Sequence, residues 1–486
     1  MLSEIKNRKL ALLTDLYELL MMQGYFKNKN KKDVLAVFDI FYRRNPYGNG
    51  FCVFCGLSEI IDYISSLKFD DSDISYLKST KLFEDDFLEY LKTFRWHGSI
   101  YSFLEGDIIN KKEPIIKIKA PLIEAQLIES AILSIFNHET LIATKAYRVC
   151  TAAIDKSVME FGLRRAHSID ASIYGAKAAV IAGCIGTSNM LTAKMFDVLP
   201  LGTQAHSWIM SYDNEYDAFY AFAKMYPDMS ILLVDTYDTL KSGVPNAIKV
   251  FKDLKKEGVK FTKYGIRLDS GDLAYLSKQA RIMLDEAGFT DALICASNDL
   301  DENVIQSLNL QGAKIDLYGV GTKLITGEPV SSLGGVYKMS AIYDDDNKNY
   351  KPKIKISENS EKVTNPGDKE VYRIYDSDGK VVADYITLVE EEVDNKSDLV
   401  LFDPIEIWKK TELKANEYTI EKKLKPIFVD GELVYKDTSV LEKKKYFELQ
   451  KTKFYENHLR LVNPKEYHVD LSQKLYDLKM KMLSNK

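Results

Sequence analysis

Long apolar runs, a cysteine framework and an excess of positive charge are all missing from this chain of 486 residues. No run approaches the roughly 18 apolar residues that a membrane-crossing helix needs. The first residues also lack a basic stretch followed by an apolar core and a small-residue cleavage site. The expected location is therefore the cytoplasm. Lysine and arginine number 66 against 71 aspartates and glutamates, a formal net charge of −5. That balance argues against a nucleic-acid binder working by bulk charge. Basic spots at Lys351 to Lys355 and at Lys443-Lys444-Lys445 read as solvated surface. Phosphate sites stay open, because they need local donors rather than net charge. The five cysteines, Cys52, Cys55, Cys150, Cys184 and Cys295, are too few and odd in number for a disulfide framework and suit a reducing compartment. Cys52 and Cys55 share a CxxC spacing, but apolar residues alternate around them and no second pair or histidine completes a zinc site. Both thiols read as strand packing. Internal repeats and low-complexity tracts are absent too.

What is present divides the chain into three parts. Residues 1–150 read as an N-terminal α+β domain. Thr14 or Asp15 caps a first helix with Glu18 in capping-box range. Val34 to Arg43 and Cys52 to Leu57 are strand-like, and Pro121 opens a long helix running toward Leu141. Residues 151–342 alternate short β-like runs with helices, the pattern of a parallel sheet, open or closed. The expected strands are Val158–Phe161, Ala179–Ala182, Leu199–Gly202, Ile231–Val234, Tyr264–Arg267, Leu293–Ala296, Ile315–Tyr318 and Val336–Ser340; that many favours a barrel. After a polar linker at 343–348, residues 343–486 form a charged extension, with β-like pieces near Val371–Tyr375 and Val381–Thr387 and helices in the last stretch.

The chemistry follows from what leaves each strand. In a β/α barrel every carboxyl end of a strand points into one mouth. Arg164 and Arg165 follow the first expected strand, Gly186-Thr187-Ser188-Asn189 the second, and His206 the third. Asp235 and Asp238 follow the fourth, Asp269 and Asp272 the fifth, Ser297 and Asn298 the sixth, and Gly319-Val320-Gly321-Thr322 the seventh. Loops are polar in general, which accounts for a serine or an asparagine in any one of them. It does not easily account for arginine, histidine and paired acids at the same phase of successive units. Gly319 to Thr322 suits a phosphate, since bare glycine backbone lets N–H groups approach it. Asp235, Asp238, Asp269 and Asp272 suit Mg²⁺, a ribose diol, or helix caps, with Asp272 the best placed as a cap. Arg164, Arg165 and Arg267 suit carboxylate or phosphate. Phe161 and Tyr17 offer flat surfaces for an aromatic ring. These residues fit a phosphorylated sugar and an anionic second substrate.

The same residues carry a family resemblance. Leu13-Thr-Asp-Leu-Tyr17, Phe41-Tyr-Arg-Arg-Asn-Pro46, Pro121 to Val149, Phe161-Gly-Leu-Arg-Arg-Ala166, Gly186 to Asn189, Gly202-Thr-Gln-Ala-His206, Arg267-Leu-Asp-Ser-Gly-Asp272 and Tyr318 to Thr322 together resemble nicotinate phosphoribosyltransferases. The resemblance implies an α/β fold: an incomplete (β/α) barrel with a second α+β domain built mainly from the N-terminal part. It implies a homodimer with sites near the interface. The implied reaction joins nicotinate to 5-phosphoribosyl 1-diphosphate, giving nicotinate mononucleotide and diphosphate. Mg²⁺ would assist, and ATP would be hydrolysed through a phosphohistidine at His206. Phe161 and the partner's Tyr17 would sandwich the pyridine ring, and Arg267 would face its carboxylate. Arg164, Thr187 and Asn189 would line the substrate region, and Asp269 would bind the ribose hydroxyls. Ser297, Asn298, Gly319, Gly321 and Thr322 would hold the 5-phosphate. Asp235 would hydrogen-bond His206 and fix its tautomer. The alternatives are a nicotinamide phosphoribosyltransferase and a non-catalytic nucleotide-binding relative.

Overall fold

A computed structural model describes residues 8–28, 30–344, 349–359 and 362–484. Most of the expected linker, residues 345–348, lies outside the described residues. The chain forms two compact units, one of residues 1–141 with 332–486 and one of residues 142–331. The expected third part is thus grouped with the N-terminal part. Among the described residues no helix is long and apolar enough to cross a membrane.

The first unit is built on a seven-stranded antiparallel sheet. Its order is Tyr350–Pro352, Gly335–Tyr343, Leu35–Tyr42, Ile116–Pro121, Ser99–Ser102, Lys425–Val429, Glu432–Leu433. Gly335–Tyr343, expected as a barrel strand, instead pairs with Leu35–Tyr42, with Ala36 opposite Ile342 and Tyr42 opposite Gly335. Counting alternating elements cannot say which sheet a strand joins, because that is fixed by pairing distant in sequence. A second sheet sets Lys369–Tyr375 between Thr419–Lys422 and Val381–Leu388, with His468–Leu471 alongside. Its buried Arg373 donates to Asp384 from Nε and from the terminal nitrogen, both at 2.8 Å, so each buried charge has a fitted partner.

Several local expectations change in this unit. Asp15 is the N-cap of helix Leu16–Lys27 but makes no side-chain cap bond. The buried Glu18 carboxylate accepts instead from the Thr14 hydroxyl and from the Ser130 hydroxyl at 2.7 Å. The long helix comes in two pieces, Leu122–Leu127 and Glu129–Ala152. Lys443, expected at the surface, is buried and bound to Glu105 at 2.7 Å and Asp437 at 2.8 Å. Cys52 and Cys55 are buried, as strand packing requires, although the strand covers only Cys52–Val53.

The second unit holds the parallel sheet, in the order Ser157–Glu160, Leu317–Val320, Leu293–Ala296, Tyr264–Leu268, Ser230–Leu233. Helices Val244–Lys256, Leu273–Glu286 and Glu302–Leu310 make the crossovers that parallel pairing demands. Single parallel bridges continue the sheet from Glu160 to Thr187 and from Thr187 to Pro200. Among the described residues no pairing joins Pro200 to Ser230–Leu233. Two of the expected strands are therefore reduced or absent. Ala179–Ala182 belongs to the end and cap of helix Ile169–Ile181, where its alanines are at home. Leu199–Gly202 contributes one bridge, at a proline that has no N–H to give. On one face of the sheet Met159, Ile231 and Cys295 pack with Phe161, Ile185, Leu201, Leu293 and Leu317. Burial there pushes the Cys295 thiol up to about 12, so it stays a neutral packing group.

Candidate active site

The parallel register decides which side chains share a face. Arg267 stands opposite Cys295, Cys295 opposite Leu317, and Gly319 opposite Met159. Arg267 and Gly319 therefore lie on the side of the apolar cluster, nearer the carboxyl ends of their strands. A Cβ on Gly319 would lie 2.6 Å from the Phe161 ring. Glycine is thus required there for the aromatic ring to lie flat against the sheet. Phe161 is in turn held by its own N–H, which donates to the Val320 carbonyl at 2.8 Å.

At the strand ends the polar groups are linked from loop to loop. His206 opens the short helix His206–Met210, with its side chain 41% exposed. Its Nδ1 lies 3.1 Å from the Thr236 hydroxyl, and its Nε2 lies 3.7 Å from Asp269 Oδ2. Asp269 accepts from the Ser297 hydroxyl on its other oxygen. Asp235 Oδ2 accepts from the Asp269 N–H at 2.9 Å and from the Ser270 hydroxyl at 2.7 Å. Arg267 donates to the Thr203 hydroxyl. Thr236 and Asp269, from loops after two different strands, thus meet at one imidazole. Asn298 and Asp299 follow Ser297 with positive φ, 87° and 44°, a conformation that asparagine and aspartate tolerate better than most residues.

Three buried groups in these loops lack partners among the described residues: Arg267 Nε, Asp235 Oδ1 and both polar atoms of the Gln204 amide. Buried polar atoms are normally satisfied, and an open one marks a place for a ligand or water. Asp235 Oδ1 and Asp269 Oδ2 are hard oxygen donors of the kind Mg²⁺ takes. Among the described residues the one compact acidic triad is Glu59, Glu105 and Glu139. It lies in the other unit, with the Lys443 ammonium already on Glu105.

The structure redistributes several expected roles. Asp235 does not bond His206; Thr236, the next residue, does. Asp238 is a helix cap, accepting from the Lys241 N–H at 2.9 Å, and Asp272 caps its helix as expected, accepting from the Tyr275 N–H at 3.0 Å. Thr187 is fully buried and gives its hydroxyl to Glu160 at 2.6 Å. Asn189 is buried and caps helix Met190–Phe196 through Leu191 and Thr192. Both side chains are engaged within the chain. Arg164 and Arg165 are exposed on the turn Leu163–Arg165. Gly321 and Thr322 lead from strand Leu317–Val320 into helix Thr322–Ile325. Tyr17 belongs to the other unit, where it is 45% exposed. The Asn189 assignment gives a direct test. Asn189→Ala is expected to lower unfolding stability by about 1 kcal/mol, the usual cost of a lost cap. Denaturant titration reads this, and KM for the substrates should stay unchanged.

Sequence reasoning missed Thr236, Ser270 and Glu160. Glu160 is fully buried, accepts from Thr187 and from the Gly162 N–H, and has its carboxyl pushed up by burial. A charged residue within an otherwise apolar strand run, Ser157-Val-Met-Glu160, was the available signal.

The fold and site define a class: an α/β enzyme whose parallel-sheet mouth brings an imidazole, an arginine, two carboxylates and a glycine loop together. The chain matches the family model for the nicotinate phosphoribosyltransferase family over residues 156–386. It also matches the models for that family's N-terminal domain over residues 12–137 and C-terminal domain over residues 368–479. It is 45% identical to nicotinate phosphoribosyltransferase of Bacillus subtilis, over 98% of this chain and 96% of the relative. Identity to the Dictyostelium discoideum protein of that description is 33%, over 96% of this chain and 87% of the relative. The crystal structure of human nicotinic acid phosphoribosyltransferase superposes with a TM-score of 0.83 at 25% identity, covering 97% of this chain and 100% of that one. The chain belongs to the nicotinate phosphoribosyltransferase family and is an enzyme of it.

Proposed function

We propose that the chain joins nicotinate to 5-phosphoribosyl 1-diphosphate, and that it hydrolyses ATP through a phosphohistidine at His206. The observation that carries this reading is the half-exposed imidazole linked to Thr236 and Asp269, together with an arginine whose buried Nε has no partner among the described residues. Loss of diphosphate from the sugar leaves positive charge at C1, as in glycoside transfer. The protein's task is to hold the pyridine nitrogen in line with that carbon and to offset the charge on the leaving group. Phe161 gives the ring a flat surface, and Arg267 pairs with its carboxylate. The backbone at Gly319 and Gly321 and the hydroxyl of Thr322 take the 5-phosphate, together with Ser297 and Asn298. Asp269 is placed for the ribose hydroxyls. Mg²⁺, held by Asp235 and Asp269 together with the diphosphate oxygens, would supply positive charge against the leaving group.

For the coupled step, a ring nitrogen of neutral His206 attacks the γ-phosphorus of ATP, the bond to the bridging oxygen breaks, and ADP leaves. Asp269 offsets the positive charge the ring acquires. Hydrolysis later returns the imidazole and releases phosphate. A cytoplasmic location suits these soluble substrates.

We read the parallel sheet, with its two single bridges and no closing pair, as an incomplete barrel. The reading also includes a homodimer. Leu13, Leu16, Tyr17, Leu20 and Met21 recur at helical spacing, and each is between 39% and 53% exposed. A stripe of that kind on one helix face costs solubility unless it is covered. A second copy would cover it and bring its Tyr17 over the nicotinate ring.

The deciding experiment is a product assay with nicotinate and nicotinamide in parallel, each with and without ATP. Nicotinate mononucleotide is expected to form from nicotinate, faster with ATP and with ADP appearing alongside. Equal turnover of nicotinamide would favour the amide-using reading, and ATP independence would remove the phosphohistidine.

A further inference from the structure

A cavity of about 640 Å³ is formed wholly within the unit of residues 1–141 and 332–486. That volume is in the range of small-molecule sites. Strand Leu35–Tyr42 contributes Asp39 and Phe41 to its wall. The second sheet contributes Ile386 and Leu471, and helix Gln473–Ser484 contributes Lys479 and Met480. The wall is therefore partly apolar and partly lined by ammonium groups.

The charges on this wall do not balance. Lys369 pairs with Asp39 at 2.8 Å, and Lys111 pairs with Glu466 at 2.7 Å. Asp403 is occupied in a turn, accepting from the N–H groups of Ile405 at 2.7 Å and Glu406 at 2.8 Å. Lys479 donates to the Asn365 amide oxygen at 2.8 Å, and among the described residues no carboxylate pairs with it. Burial, with the charges of Lys112 and Lys369, brings its ammonium down to about 8. An ammonium held against an apolar wall near two like charges is costly unless a counter-charge arrives.

We propose that this cavity is a second binding site, for an organic anion with an apolar body, and that Lys479 is the charge partner of its carboxylate or phosphate. The apolar side chains would take the body of the ligand, and the ammonium its head group. This assignment is independent of the reading at His206.

Pyridoxal 5′-phosphate is a suitable probe, being an aromatic phosphate with an aldehyde. The neutral amine of Lys479 attacks the aldehyde carbon, the carbonyl oxygen leaves as water, and borohydride delivers hydride to the imine carbon. A secondary amine remains for peptide mass mapping. On the full chain at pH 8, Lys479 is expected to be labelled roughly tenfold or more faster than the exposed Lys241, because its lowered ammonium leaves much of it as the free amine. Phenyl phosphate and benzoate, added in turn, should each slow that labelling, and the better protector identifies the preferred head group. Sodium chloride at matched ionic strength should not. By calorimetry, Lys479→Met should weaken binding of the better protector by roughly tenfold or more, while Lys479→Arg should retain it. The proposal is overturned if Lys479 reacts no faster than Lys241, if neither anion protects it, or if Lys479→Met binds as the parent does.

Discussion

Replacing His206 by alanine is expected to lower ATP hydrolysis by roughly a hundredfold or more, since the variant has no group to accept the γ-phosphoryl. Most of the ATP-stimulated part of mononucleotide synthesis should disappear with it. On the proposed roles, synthesis without ATP should persist, because Arg267, Phe161 and the glycine loop would remain to bind and orient the substrates. The alanine should also fold. His206 lies at the start of a five-residue helix, with 41% of its side chain exposed and a hydrogen bond to Thr236. A phosphate-release assay, run beside acid-sensitive ³²P labelling from γ-labelled ATP, checks both parts. ATP hydrolysis at the parent rate would remove His206 from the coupled step. The transfer reaction would then have to be argued from Arg267 and the phosphate loop alone.

The site was legible in the sequence to the extent that strand ends are. Short apolar runs each followed by a polar residue gave His206, Arg267, Asp269, Ser297 and the Gly319–Thr322 loop; the structure links His206, Asp269 and Ser297 to one another and Arg267 to Thr203. Orientation within each loop was less legible. Asp235 and Thr236 are neighbours, and a turn of one residue decides which meets the imidazole. An acid is the expected partner for histidine, yet Asp235 is engaged by the Asp269 N–H and the Ser270 hydroxyl. Helix caps were the other source of confusion. Asn189, Asp238 and Asp272 follow strand-like runs and precede helices, which is where both a substrate contact and an N-cap are placed. Only the presence of bonds to the next helix's N–H groups separates the two. The fold shows the same division between local and distant information. The long helix after Pro121 was readable from periodicity, apart from its break into two pieces. The membership of Gly335–Tyr343 was not, because its partner, Leu35–Tyr42, lies some three hundred residues earlier in the chain.

Arg267→Ala should discriminate between the acid and the amide. A carboxylate brought into a partly buried site needs a compensating charge, and losing the partner of such a pair costs about 2–4 kcal/mol. That corresponds to roughly 30- to 1,000-fold in kcat/KM for nicotinate. Nicotinamide carries no charge to strand, so its use should fall by less than about tenfold. The geometry supports this asymmetry. One terminal nitrogen of Arg267 is taken by Thr203, while its buried Nε has no partner among the described residues. The neighbouring residues on that face, Cys295 and Leu317, are apolar and offer the anion nothing in its place. Parallel steady-state assays of both substrates measure the ratio, and Arg267→Lys refines it. Lysine restores the charge without the planar fork, so nicotinate use should recover only in part. Equal losses for the two substrates would mean that Arg267 shapes the mouth rather than reads the carboxylate. The positive charge that selects the acid would then have to come from another group, and the exposed Arg164 would be the next side chain to replace.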